Sequence, residues 1–468
     1  MITIFLFGCF MKQSQPETLS QSVSPIPTIP ELQSFIPPSP KVSTLENGES
    51  VWLVENHELP LLVFNVILPG GYGSEIDGKW GRARLTAAML QEASGDLSSL
   101  DVSSQLHKLA VSVGVSAYSS HTLVSVSMHR DRLDEVLPII ANMIYKPAFN
   151  EADWQRIQEQ QILSVQQAEK SSRAIASQFS GYFLHGAEHP LGIPAAGTER
   201  TISSLTRNEV EAWHHSRLQA EGVSFVLVGD ITEEQTHTAL KNNFTTWPGG
   251  NFVAPEIPVE TSEQSGNILL VDMPGAQQTT IRMRSNAYEV KSADAEPAQL
   301  AAKIMGGSFT SRLNASLREE NGYTYGIGCW FSDTSFGSIF SVSTSVRTDV
   351  TTEALTDIYQ ILSDGSKGYS AGEVKKAKVL DRTDRIEGVE SRISIASYVT
   401  DIAMMNDPAD QQEQTIAKIE QVSAEDMKSA SQYLLPERGL TLLVGDAAVI
   451  SEPLKAAGFD VTLVEIPK

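Results

Sequence analysis

Only two cysteines occur among 468 residues, Cys9 and Cys329, and they lie far apart in the chain. That excludes a disulfide framework and any cysteine-built metal site. Basic charge is scarce as well: 35 Lys and Arg stand against 57 Asp and Glu, a net charge of −22. A nucleic-acid binder needs a basic face, so the balance argues against a phosphate-binding surface. Long apolar runs are missing too; the longest candidate, Met1 to Cys9, is too short to cross a bilayer. What is present is ample core material, with 41% hydrophobic residues. At this length the chain divides into two or more domains.

The start, Met1-Ile2-Thr3-Ile4-Phe5-Leu6-Phe7-Gly8-Cys9, resembles a truncated bacterial lipoprotein signal, with Cys9 as the residue lipidated after cleavage. On that reading the protein is periplasmic and lipid-anchored at Cys9. The alternative is a translation start at Met11 and a cytoplasmic protein, since the usual basic residues before the apolar stretch are absent. Residues 10–45 suit a tether: they are rich in Ser, Gln and Pro and carry no helical or strand periodicity.

An internal repeat organises the remainder. Ile202-x-x-Leu205-Thr206-x-x-Glu209-Val210 is echoed about 216 residues later by Ile419-x-x-Val422-Ser423-x-x-Asp426-Met427. In each, Thr or Ser precedes an acid by three residues, the pattern of a capping box opening a helix. Each helix leads to a β-rich run, Phe225-Val226-Leu227-Val228-Gly229 and Leu440-Thr441-Leu442-Leu443-Val444-Gly445. Both copies begin with strands: 51–54 and 61–68 flank a turn at 56–60, and 268–271 and 279–283 flank Met273-Pro274-Gly275. Trp154, Ile157, Gln161, Ile162, Val165 and Ala168 recur at helical spacing. The pattern predicts an α+β fold: two tandem homologous α/β-sandwich domains with antiparallel sheets, at 46–248 and 265–468, joined by a linker at 249–264.

One stretch carries most of the functional information. Gly306-Gly307-Ser308-Phe309-Thr310-Ser311-Arg312-Leu313-Asn314-Ala315-Ser316-Leu317-Arg318-Glu319-Glu320-Asn321-Gly322-Tyr323-Thr324-Tyr325 reads as a short helix between a Gly-Gly break and an Asn-Gly stop, feeding a strand. It places Arg318 and Tyr325 at one helix-to-strand corner. The stretch resembles the C-terminal domain signature of the M16 zinc peptidases, the pitrilysin, insulinase and mitochondrial processing peptidase-like family. The resemblance covers residues from about 45 to the end and implies half of a clamshell. It also implies that Arg318 and Tyr325 reach a peptide bound at a zinc ion and assist the oxyanion.

The same resemblance exposes a gap. Those peptidases carry an H-x-x-E-H helix, whose two histidines share a helix face and whose glutamate acts on the zinc-bound water. The flanking Gly73-Ser74-Glu75 and Gly81-Arg82-Ala83 are present, but the ligand positions read Arg84-Leu85-Thr86-Ala87-Ala88. Arg84, Ala87 and Ala88 supply no ligand. The third ligand position falls near Ala168, with Glu169 as a stand-in.

His185-Gly186-Ala187-Glu188-His189 has the right spacing elsewhere, yet Gly186 and the following Pro190 speak for a loop. His214 and His215 are expected as a surface or boundary pair. His107, His121 and His129 are expected in or beside strands in structural roles. The strand holding Ser116, Ala117 and Tyr118 permits addition of a peptide to a sheet edge. The family contains two-chain enzymes in which one chain brings zinc and the other the Arg/Tyr pair. This chain resembles the second kind: a non-catalytic, substrate-binding subunit, binding no cofactor itself, whose partner is an H-x-x-E-H chain with zinc. The enclosed chamber would favour peptides or unfolded segments. A purely structural subunit, a self-sufficient peptidase using the His185 segment, and a free-standing peptide-binding module are the alternatives.

Overall fold

The computed structural model describes residues 35–245, 247 and 266–468, and within it Pro37–Lys468 pack as one unit. The first sheet takes β1 (Lys41–Thr44), β2 (Ser50–Glu55), β3 (Leu61–Pro69), β4 (Ser112–Ala117), β5 (His121–His129) and β6 (Ser224–Gly229). Their order is β1-β2-β6-β3-β5-β4. The second takes β7 (Ile268–Asp272), β8 (Gln278–Asn286), β9 (Thr324–Thr334), β10 (Gly337–Arg347), β11 (Leu440–Gly445) and β12 (Val461–Val464). Its order is β12-β7-β11-β8-β10-β9. Apart from the outermost β1 and β12, the two orders correspond strand for strand. The sequence repeat is therefore a repeat of fold.

The first domain's helices are α1 (Arg82–Met89), α2 (Ser99–Lys108), α3 (Leu133–Tyr145), α4 (Glu151–Ala168), α5 (Ser172–His185), α6 (Glu199–Ser204), α7 (Arg207–His215) and α8 (Glu233–Asn243). The second domain's are α9 (Ala295–Met305), α10 (Arg312–Asn314), α11 (Thr351–Ser363), α12 (Ala371–Glu387), α13 (Arg392–Met404), α14 (Gln411–Gln421), α15 (Ala424–Ala430) and α16 (Ala447–Ala456). Both predicted capping boxes close: Thr206 N donates to Glu209 Oε2 at 2.8 Å and Ser423 N to Asp426 Oδ2 at 2.8 Å.

The α+β fold class is the one expected, with one difference: the sheets are mixed. β2 and β3 do not pair across their turn, because β6 lies between them, parallel to β2 and antiparallel to β3. β11 does the same between β7 and β8, and β12 adds a further parallel pair on β7. A second correction concerns the tether. Its last residues, Lys41–Thr44, form edge strand β1 on β2, so the first domain begins ahead of residue 46. The signal segment with Cys9, the tether up to residue 34 and the linker at 249–264 lie outside the described residues.

Period-two alternation divides β3 between two cores. Leu62, Phe64, Val66 and Leu68 face the first domain's own helices. Val63 and Ile67 face the other way, onto Ile395, Ala396, Val399 and Ile402 of α13, which belongs to the second domain. The exchange is reciprocal. Ile175, Ala176 and Phe179 of α5 cover Leu269, Val271, Leu440, Leu442 and Val444 on the second sheet. Each contact has a polar pin: Asn65 Nδ2 donates to Thr400 Oγ1 at 3.0 Å, and the Ser172 and Thr280 hydroxyls lie 2.9 Å apart. Each domain thus lends a helix to the other's sheet.

Candidate functional site

The corner bearing Arg318 and Tyr325 is built by close approach. α9 ends at Gly306, where a Cβ would lie 2.8 Å from both the backbone nitrogen and the Sγ of Cys329 on β9, so only glycine admits the strand. Ser311 opens α10 as its N-cap, and Leu313 and Leu317 drop into the core. Beyond Asn314 the helix widens over Ala315–Glu320 into a π turn that ends at Gly322, with φ +62°. Asn314 ties the turn to the strand. Its side-chain amide accepts from Ile327 N at 3.1 Å and donates to Ile327 O at 2.8 Å, as a neighbouring strand would.

On this frame the Arg318 guanidinium lies 4.0 Å from the Phe309 ring centre, and its Nε is 3.4 Å from Glu319. A cation held over an aromatic face keeps its outward N–H groups available as donors. Tyr325 does not pack into the sheet; it is 94% exposed at the start of β9. Among the described residues β9 is the outermost strand and pairs only with β10; Asn314 fills its other backbone edge at Ile327, so that edge is not free along its whole length. Phe309 and Asn314 were not singled out in the sequence. An asparagine between two core leucines was their available signal.

α1 occupies the metal helix position, packed against α4 and β4. Arg84 is exposed, Ala87 is 3% exposed within the first core, and Ala88 packs partly buried against it. None offers a donor atom suited to zinc, so these residues do not fit the ion. Ala168 is the last residue of α4 and Glu169 its C-cap. The buried Glu75 carboxylate accepts from Gly81 N at 2.8 Å and from Ala83 N, satisfying the first turn of α1. Burial pushes this carboxyl up to about 8, against the pull of those two donors.

β4 is the edge strand of the first sheet, the counterpart of β9. Ser116 is exposed, Ala117 half-buried, and Tyr118 stacks on His121 with ring centres 4.7 Å apart. The carbonyls of Tyr118 and Ser119 already accept from Tyr72 N and Gly73 N, both at 2.8 Å. The open part of this edge therefore stops at Ala117, and the expected peptide strand is shortened by the loop before α1.

The His185 segment is not a continuous helix. α5 ends at His185, the chain turns at Gly186, and Pro190–Gly192 form a 3-10 turn. The rings of His185 and His189 stack at 4.7 Å, and His189 Nδ1 accepts from Leu191 N at 3.1 Å. Among the described residues no three His, Cys, Asp or Glu side chains converge as metal ligands. Two other histidines differ from expectation. His214 is buried at 3% exposure, its Nε2 2.7 Å from Ile144 O, because its face of α7 meets α3. His107 lies in α2, which a Ser98–Asp101 capping box opens.

Against this geometry, two family models match: "Insulinase (Peptidase family M16)" over residues 64–180 and "Peptidase M16 inactive domain" over residues 204–379. The chain belongs to the M16 peptidase family. Within it, the residues on α1 make it a non-catalytic M16-like protein. The non-peptidase homolog YmxG of Helicobacter pylori is 23% identical over 346 residues, covering 73% of this chain and 79% of that protein. An uncharacterized zinc protease of Mycobacterium bovis is 21% identical over 387 residues, covering 79% and 85%. The fold matches the crystal structure of a peptidase M16 inactive domain from Pseudomonas fluorescens with a TM-score of 0.80 at 22% identity, over 87% of this chain and 98% of that one.

Proposed function

We propose that this chain is the substrate-binding, non-catalytic subunit of a heterodimeric M16 zinc peptidase. One observation carries the reading: the Arg318/Tyr325 corner is fully built and open to solvent, while α1 has no metal donors. A scaffold would need neither an exposed tyrosine on an edge strand nor a guanidinium held over Phe309. The H-x-x-E-H partner would supply the zinc and its activated water. Arg318 and Tyr325 would donate hydrogen bonds to the scissile carbonyl as negative charge develops on it, and the part of the β9 edge that Asn314 leaves free would hold an extended peptide.

The test is peptidase activity and zinc content, measured for this chain alone and co-expressed with an H-x-x-E-H homologue encoded beside it. Activity is expected only in the pair. Arg318→Ala or Tyr325→Phe in this chain should lower kcat of the pair about a hundred- to a thousand-fold, the scale of one lost oxyanion donor. Stoichiometric zinc with activity in the chain alone would refute the proposal.

A further inference from the structure

β8 carries two arginines on one face, Arg282 and Arg284, at the junction between the domains. Both are half-buried, and the Nε atom of each is fully buried without a hydrogen-bond partner. Neither forms an ion pair with an acid among the described residues. The titratable neighbours of Arg284 are Arg282 and the neutral Tyr72 phenol, and burial lowers its pKa to about 10. Arg282 lies 5.0 Å from the ring centre of Trp330, which is 39% exposed on β9. Sheet register sets Ser343 beside Arg282 and Ser341 beside Arg284, with Trp330 next across from Ser341. On the other side α5 makes room with a glycine: a Cβ at Gly181 would lie 3.0 Å from Arg284 Nη1.

The repeat supplies an internal control. β3 pairs with β6 as β8 pairs with β11, so aligning Gly229 with Gly445 sets Asn65 against Arg282 and Ile67 against Arg284. In the first domain those positions are a hydrogen-bonded amide and an apolar side chain buried at 2% exposure. The fold therefore closes this face without charge. Two guanidiniums with no acid paired to them among the described residues are a structural cost here.

We propose that Arg282 and Arg284 form a carboxylate subsite for the bound peptide, taking an acidic side chain or the C-terminal carboxylate of a segment lying along β9. The site rests on the peptide-binding reading above and adds the substrate chemistry. Guanidinium forks match the two oxygens of a carboxylate, and Trp330 closes the apolar side.

The test uses a fluorescent ten-residue peptide with one Glu, its Glu→Gln counterpart, and C-terminally amidated forms of both. Anisotropy is measured with the chain and with its complex with the H-x-x-E-H partner. A carboxylate should tighten binding about ten- to a hundred-fold, and comparing the Gln and amide arms identifies which carboxylate is read. The double variant Arg282→Asn, Arg284→Ile, which copies the first repeat, should erase that preference without lowering the melting temperature. Equal binding of all four peptides overturns the subsite and leaves the peptide-binding reading standing. Binding of none overturns both. A melting temperature lowered by the double variant would make the arginines structural and also overturns the subsite.

Discussion

Glu75→Gln tests the electrostatics at the root of α1. The unfolded carboxyl releases its proton near 4.5, whereas the folded one holds it up to about 8 because burial disfavours the charge. Between those values the folded chain binds more protons than the unfolded chain, so stability falls as pH rises. Below about 4.5 the contribution is fully present, and above about 8 it is lost. At about 1.4 kcal/mol per unit, the gap amounts to about 5 kcal/mol. The glutamine cannot ionise, but its single amide oxygen serves only one of the two N–H groups of Gly81 and Ala83. That costs about 1–3 kcal/mol at every pH. The two stability curves should therefore cross, wild type being firmer at pH 5 and the variant firmer at pH 8. Urea unfolding from pH 5 to 8 at constant ionic strength, followed by circular dichroism, measures the difference and cancels the histidines common to both. A difference that stays level across this range would refute the reasoning.

Removing either exchanged helix contact should weaken both domains together. Phe179→Ala on α5, at 2% exposure, and Val399→Ala on α13, fully buried, should each destabilise the chain. The expected cost is about 3–5 kcal/mol for the phenylalanine and less for the valine, in one cooperative transition seen alike by fluorescence and circular dichroism. Two separated transitions would contradict the exchange. Asn314→Ala strips the amide from Ile327 and should cost about 1–3 kcal/mol. It should also speed amide exchange at Ile327 and lower activity of the proposed two-chain enzyme without touching substrate; unchanged exchange at Ile327 would count against the tie.

The duplication, the capping boxes and the Arg318/Tyr325 corner were legible because each is written in residues close together in the chain. What was not legible depends on distant partners. Nothing local to 51–68 says that Ser224–Gly229 will slide between its two strands. Lys41–Thr44 is too short to read as a strand until β2 pairs with it. α5 and α13 carry ordinary apolar stripes, and only the assembled fold shows whose sheet each one covers. Arg282 and Arg284 alternate with Ile281 and Met283, and alternation cannot tell a solvated face from a domain junction. Asn314 hid between leucines for the same reason: its partner Ile327 is a strand away.

The lent helices bear on where a molecule of this kind can come from. A polypeptide holding one copy of the repeat has a bare apolar sheet face and a stray apolar helix. Two such polypeptides remove both defects by trading helices about a twofold axis, an isologous contact that any single copy already encodes. A half-length chain of this fold is thus expected to need a second copy of itself to cover its sheet. Carried on one polypeptide, the two junctions need not be alike: one is sealed with Asn65 and Ile67 where the other holds Arg282 and Arg284.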